Sequence, residues 1–191
     1  MKTKEFSAVN LLERELLRVE KKIRFRRSFL SALCILLSVA AITVLLSVFV
    51  FPVMRIHGTS MKPTLNEGEI VISLKTSKID RGDIAAFYYG NKVLIKRCIG
   101  VSGDVINIDE EGSVYLNGEC LQEPYISEKA FGECDVELPC QVPEGRIFVL
   151  GDERMLSIDS RNSMIGFVAS EQIIGKIVFR IWPLGKIELT K

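Results

Sequence analysis

The stretch IHGTSMKPTL, Ile56 to Leu65, holds a serine in a compact turn, with the chain's single histidine three residues upstream and a proline three residues on. A serine hydroxyl is a weak nucleophile until a neighbouring group takes its proton. His57 is the obvious base for Ser60, but three residues away in the same turn it reads as an ordinary polar residue. The other route is a lysine whose amine is kept neutral by burial, the Ser-Lys variant of the catalytic triad. Such a lysine should lie inside an apolar strand, where an ammonium would be costly. Lys96 in VLIKRCIG fits, flanked by Val93, Leu94, Ile95, Cys98 and Ile99. On a strand Lys96 and Cys98 share one face and Arg97 points to the other, so only one of the two basic residues can enter a given cleft. Pattern alone does not choose between them, and a lysine on a half-exposed edge strand is the plain alternative.

These residues need elements to hold them. A chain of 191 residues suffices for one domain with a core and a membrane segment besides. Its 25 basic and 24 acidic residues nearly cancel, which gives no sign of nucleic-acid binding. Their distribution is uneven. Residues 1–27 form a basic arm in which Val9, Leu12, Leu16 and Val19 recur at helical spacing, which predicts an amphipathic helix lying on anionic lipid. From Ser28 to Met54 there is no charge, a run of roughly 40 Å as a helix, longer than the hydrocarbon core of a bilayer. A soluble helix of this length would show a polar stripe, and a cleaved signal peptide would be shorter. The segment 28–54 therefore predicts a transmembrane helix. The cluster KKIRFRR at its N-terminal end marks the cytoplasmic side and puts residues 55–191 outside.

Beyond the anchor the hydrophobic period changes. EIVISL, IAAFYY, KVLIKRCIGV, DVINI, SVYLN, RIFVL and IIGKIVFRIW are short, rich in β-branched and aromatic residues, and separated by Gly, Asp, Asn and Pro. They predict a mostly β domain. DEEGS and the Asn117-Gly118 pair read as hairpin turns. The region 120–142, with Pro124 and Pro139, reads as an irregular excursion from the main sheet. Cys34 belongs to the apolar run. Cys98 is expected to fill core space beside Lys96. Cys120, Cys134 and Cys140 would lie outside the membrane, where disulfides persist, so a pair among them is expected with three choices open. No cysteine spacing matches a zinc signature, and neither metal nor cofactor is expected.

Taken in order, Ser60-Met61 with Pro63-Thr64-Leu65, RGDIAAF (Arg81 to Phe87), IKRCIGVSGDVI (Ile95 to Ile106) and GDERMLSIDSR (Gly151 to Arg161) resemble the boxes of the type I signal peptidases, Ser-Lys proteases of bacterial membranes. The resemblance covers the chain after Arg27. It implies a signal-peptidase-like β-sheet catalytic domain behind a single span in the plasma membrane. The implied activity is removal of signal peptides, after small Ala-X-Ala residues, from precursors emerging from the export machinery. It makes Ser60 the nucleophile and Lys96 the general base, and chemistry agrees, since a guanidinium cannot be deprotonated in a protein. Ser157 would orient the lysine amine, and Asp159 and Arg161 would form a structural ion pair. Ile56, Gly58, Met61, Leu65, Leu94 and Ile95 would line shallow substrate pockets.

Two positions depart from the family pattern. Gly58 stands where some members have a serine that assists the oxyanion, and Glu153 stands where asparagine is usual. Two rival readings are a cytoplasmic autoprotease with the same dyad, which the span opposes, and a silent homologue, which would be expected to lack the lysine.

Overall fold

The computed structural model describes residues 2–183, 188 and 189, with helix side chains given at 18, 21–45, 49 and 50. The chain divides into two compact units, 1–47 and 48–191.

The first unit belongs to one helix, α1, which runs from Lys2 to Val50. Its part from Lys21 to Leu45 is long and apolar enough to cross a membrane. The expected amphipathic face rests on Val9, Leu12, Leu16 and Val19, whose side chains lie outside the described residues. The predicted span reached Met54, but the helix stops at Val50 and Val53 and Met54 enter the first strand. Pro52 accounts for this: its ring disfavours helix at the residue before it, and it has no N–H to continue the ladder.

The second unit is built from antiparallel strands. The main sheet contains β1 (Val53–Arg55), β2 (Ile70–Leu74), β3 (Ile84–Tyr89), β4 (Lys92–Val101), β9 (Arg146–Leu150), β10 (Val168–Ala169) and β11 (Ile173–Trp182). Their order is β1-β2-β11-β3-β4-β9-β10, and β12 (Glu188–Leu189) pairs with β11. A smaller sheet, β7-β6-β5-β8, combines β5 (Val105–Ile108), β6 (Val114–Leu116), β7 (Glu119–Cys120) and β8 (Cys140–Gln141). The predicted hairpins form at both turns, β5 to β6 and β6 to β7. The predicted excursion leaves from β7 and returns through β8, and its middle is irregular.

Two apolar clusters set the faces of the main sheet. One gathers Ile56, Met61, Leu65, Val71, Ile84 and Ala86, with Met54 and Ile95 packed against it. The other gathers Ala85, Phe87, Cys98, Ile147 and Val149, with Leu94 against it. Alternation along β4 therefore sends Ile95 and Leu94 to opposite clusters, as a period of two requires. All five cysteines are free thiols, so the expected pair among Cys120, Cys134 and Cys140 is not formed.

Candidate active site

The polypeptide after β1 turns sharply at Gly58, whose φ of 85° lies in the left-handed region. A serine there would be strained by its Cβ, so the backbone itself calls for the glycine that stands in this position. The turn delivers Ser60 to the wall of a groove of about 520 Å³ bounded by residues 54–58, 60, 61 and 92–96. Lys96 lines the same groove from β4.

Lys96 is 3% exposed. Its amine donates to Ser157 Oγ at 2.9 Å. Burial lowers its pKa from 10.5 to about 8, with Asp159 pulling it back up and Arg161 pushing it down. An amine so placed is partly neutral near pH 8. When it is neutral and one N–H is spent on Ser157, its lone pair is left for another hydroxyl.

Ser60 and Ser157 are brought together by Gly151. A Cβ on Gly151 would collide with Ser157 Oγ and would lie 2.6 Å from the Ser60 carbonyl oxygen. Only glycine lets the two serine segments approach this closely. The Ser60 carbonyl also accepts from the Glu153 N–H at 3.1 Å. Because that bond uses the main chain, the glutamate that replaces the usual asparagine still makes it. Among the described residues, no acceptor takes the Ser60 N–H and no partner holds its hydroxyl.

The box that carries Ser157 is fixed from below by buried charge. Arg161 grips Asp159 through two bonds of 2.9 Å, and Asp159 accepts from the Gly151 N–H at 3.0 Å. Arg161 also donates to the Phe131 carbonyl at 2.6 Å and the Arg154 carbonyl at 2.8 Å. Arg97, the neighbour of Lys96, points the other way and forks onto Asp152 at 2.9 and 2.7 Å, with Thr64 bonded to both. Tyr125 stacks on the Arg97 guanidinium, 3.9 Å from ring centroid to Cζ. Its hydroxyl donates to Glu123, which in turn pairs with Arg154. No buried side-chain nitrogen or oxygen lacks a partner among the described residues.

Of the expected pocket residues, Ile56, Gly58, Met61, Leu94 and Ile95 line the groove. Leu65 does not. It is wholly buried, because its N–H bonds back to the Met61 carbonyl and the turn carries its side chain into the core with Val71 and Ile84. His57 lines the groove but is exposed. Cys98 is buried as expected, and burial pushes its thiol up to about 12, which removes the thiolate that oxidation would need. Sequence reading missed the set Thr64, Arg97, Asp152, Glu123, Tyr125 and Arg154. Buried charges inside the boxes could have signalled Arg97, Asp152 and Arg154. Nothing in the irregular region 120–142 signalled Glu123 or Tyr125.

Comparison with known proteins gives one consistent answer. The family model described as "Signal peptidase, peptidase S26" matches residues 27–182. Signal peptidase I of Bacillus licheniformis is 33% identical over 184 residues, 90% of this chain and 98% of that protein. Signal peptidase IB of Staphylococcus aureus strain Mu50 is 33% identical over 176 residues, 80% of this chain and 91% of that one. A crystal structure of a signal peptidase I from Enterococcus faecalis is 30% identical and aligns with a TM-score of 0.44, over 52% of this chain and 96% of the other.

Proposed function

The chain belongs to the peptidase S26 signal peptidases, serine endopeptidases that remove signal peptides from precursor proteins, and we propose that it does so with Ser60 as nucleophile and Lys96 as general base. The observation that carries this reading is the buried Lys96 amine, lowered to about 8 and held by Ser157, in the groove that Ser60 lines. A base poised near the working pH has both the correct protonation state and the driving force for proton transfer.

The precursor enters the groove as an extended strand. β1 is the terminal strand of its sheet, and pairing of β4 with β9 begins only at Arg97, so residues 53–55 and 92–96 each offer an unpaired edge. Small residues on the substrate face Ile56, Met61 and Ile95, which accounts for an Ala-X-Ala preference. Lys96 takes the proton as Ser60 Oγ attacks the scissile carbonyl. The resulting oxyanion accepts the Ser60 N–H, and a tetrahedral centre forms. Lys96 then gives its proton to the departing amine of the mature protein. Water activated by the same amine hydrolyses the acyl-enzyme and frees the signal peptide. Ser157 orients the amine, and the Asp159–Arg161 pair holds the loop that carries it.

The apolar helix anchors the enzyme in the bacterial plasma membrane. The basic residues 21–27 stay on the cytoplasmic side, and the catalytic unit faces outward. The test is cleavage of a synthetic precursor by the full-length enzyme and by Ser60→Ala and Lys96→Met. Wild type alone should cleave, with neither variant melting below the wild type. Equal cleavage by all three would remove the reading.

A further inference from the structure

The chain as a whole carries a formal charge of only +1, yet the groove is lined by Arg55, His57, Lys92 and Lys96 and by no Asp or Glu. Lys96 is buried at the floor; Arg55, His57 and Lys92 are exposed. Among the described residues, neither Arg55 nor Lys92 has a carboxylate within ion-pair distance, whereas Arg81, Arg97, Arg154, Arg161, Lys176 and Arg180 all do. The groove therefore carries two exposed cations that no carboxylate among the described residues offsets, as other parts of the unit do at Lys62, Lys75, Lys78, Lys129 and Arg146.

Alternation decides which part of a substrate meets them. Met54 and Ile56 turn inward to the core cluster, so Arg55 and His57 turn outward between and beyond them. The ladder continues past β1, with the Ile56 N–H bonding to Glu69 and the Ile56 carbonyl accepting from Gly68, so this alternation holds to Ile56. On β4, Ile95 faces the same cluster, and Lys92, three residues earlier, faces the opposite way. A strand laid between these edges puts its first and third small residues toward Ile56 and Ile95 and its middle residue outward, on the face that carries Lys92 and Arg55, whose guanidinium rests near Gly68 and must swing across β1 to meet it.

We infer that the groove selects precursors with Asp or Glu at the middle position of the Ala-X-Ala segment, Arg55 and Lys92 being the specificity-determining residues. The inference rests on the proteolytic reading above and deepens it, since the middle position is otherwise unconstrained. Cross-strand charge pairs on an exposed face are individually weak and screened by salt. The expected preference for Glu over Lys in kcat/KM is about tenfold at low ionic strength, the sum of one attraction gained and one repulsion avoided.

The experiment uses the full-length enzyme in neutral detergent with peptides identical except for Glu, Gln or Lys at the middle position. Wild type should rank them Glu, Gln, Lys. The Glu-to-Lys ratio should fall to about threefold in Arg55→Gln or Lys92→Gln and approach one in the double variant or in molar salt. Equal kcat/KM for the three peptides, or an unchanged ratio in the double variant, would overturn the inference while leaving the protease reading intact. Stimulation by anionic vesicles with no dependence on the middle residue would also overturn it and assign the cations to lipid headgroups. Failure of wild type to cleave any of the peptides would overturn the protease reading itself.

Discussion

At the scale of single residues, the chemistry turns on where protons sit. The Lys96 amine has a folded pKa of about 8 against 10.5 in its ordinary state, so between those values the unfolded chain binds the extra proton. This group's contribution to stability is therefore full above about 10.5 and is lost as the pH falls to about 8. Below that, the fold carries the cost of a buried ammonium. Lys96→Met fills similar volume without the charge, so at pH 7 the variant should be inactive yet melt at or above the wild-type temperature. A marked fall in Tm would mean that the ammonium is stabilised where it sits. Ser157→Ala removes the hydroxyl to which the amine donates at 2.9 Å. The base is then free to rotate, and kcat should fall roughly tenfold to a hundredfold with KM little changed, since Ser157 acts through the lysine. An unaltered kcat would show that the amine is oriented by other means.

The next scale is the element, where the excursion between β7 and β8 matters most. It has little regular structure, yet it supplies Tyr125 to cover Arg97, Glu123 to pair Arg154 and the Ala130 and Phe131 carbonyls to hold Arg161. It thereby clamps the back of the box that carries Ser157. Removing one member of a buried pair leaves an uncompensated charge and typically costs about 3–5 kcal/mol. Glu123→Gln should therefore lower Tm by roughly 10 °C in thermal unfolding, well beyond a surface change. A shift within a degree would mean that Arg154 is satisfied by the Gly151 carbonyl alone, to which its Nε donates at 3.1 Å. The elements were legible in the sequence to different degrees. β3, β4, β9 and β11 declared themselves by β-branched runs between turn residues and appear with the expected bounds. The start of β1 was obscured because Val53 and Met54 continue the uncharged run and only Pro52 marks the change before Arg55. The short β7, β8 and β10 carry too few residues for a period to show. The pairing of Ser60 with Lys96 came from the resemblance of the boxes, since the local pattern left Lys96 and Arg97 open, and both Ser60 and Lys96 line one groove. Glu123 and Tyr125 were not readable, because their partners are reached only through tertiary packing.

Across the whole molecule, the chain joins a helix apolar enough to cross a bilayer to a β-rich catalytic unit. The asymmetry of charge around the span, KKIRFRR on one side and Arg55 alone on the other, sets the expected orientation. Protease added outside intact spheroplasts should digest the unit after Arg55 and spare an epitope fused before Lys2. Loss of the epitope with the catalytic unit protected would reverse the topology and place the groove away from exported precursors.

The account depends most on a neutral Lys96 amine taking the proton of Ser60, and the pH dependence of kcat/KM for precursor cleavage by the full-length enzyme tests it directly. The rate should rise about tenfold per pH unit below 8, bend near 8 and level off above it, because only the unprotonated amine is a base. A profile that is flat down to pH 6, or still climbing through pH 10, would contradict it.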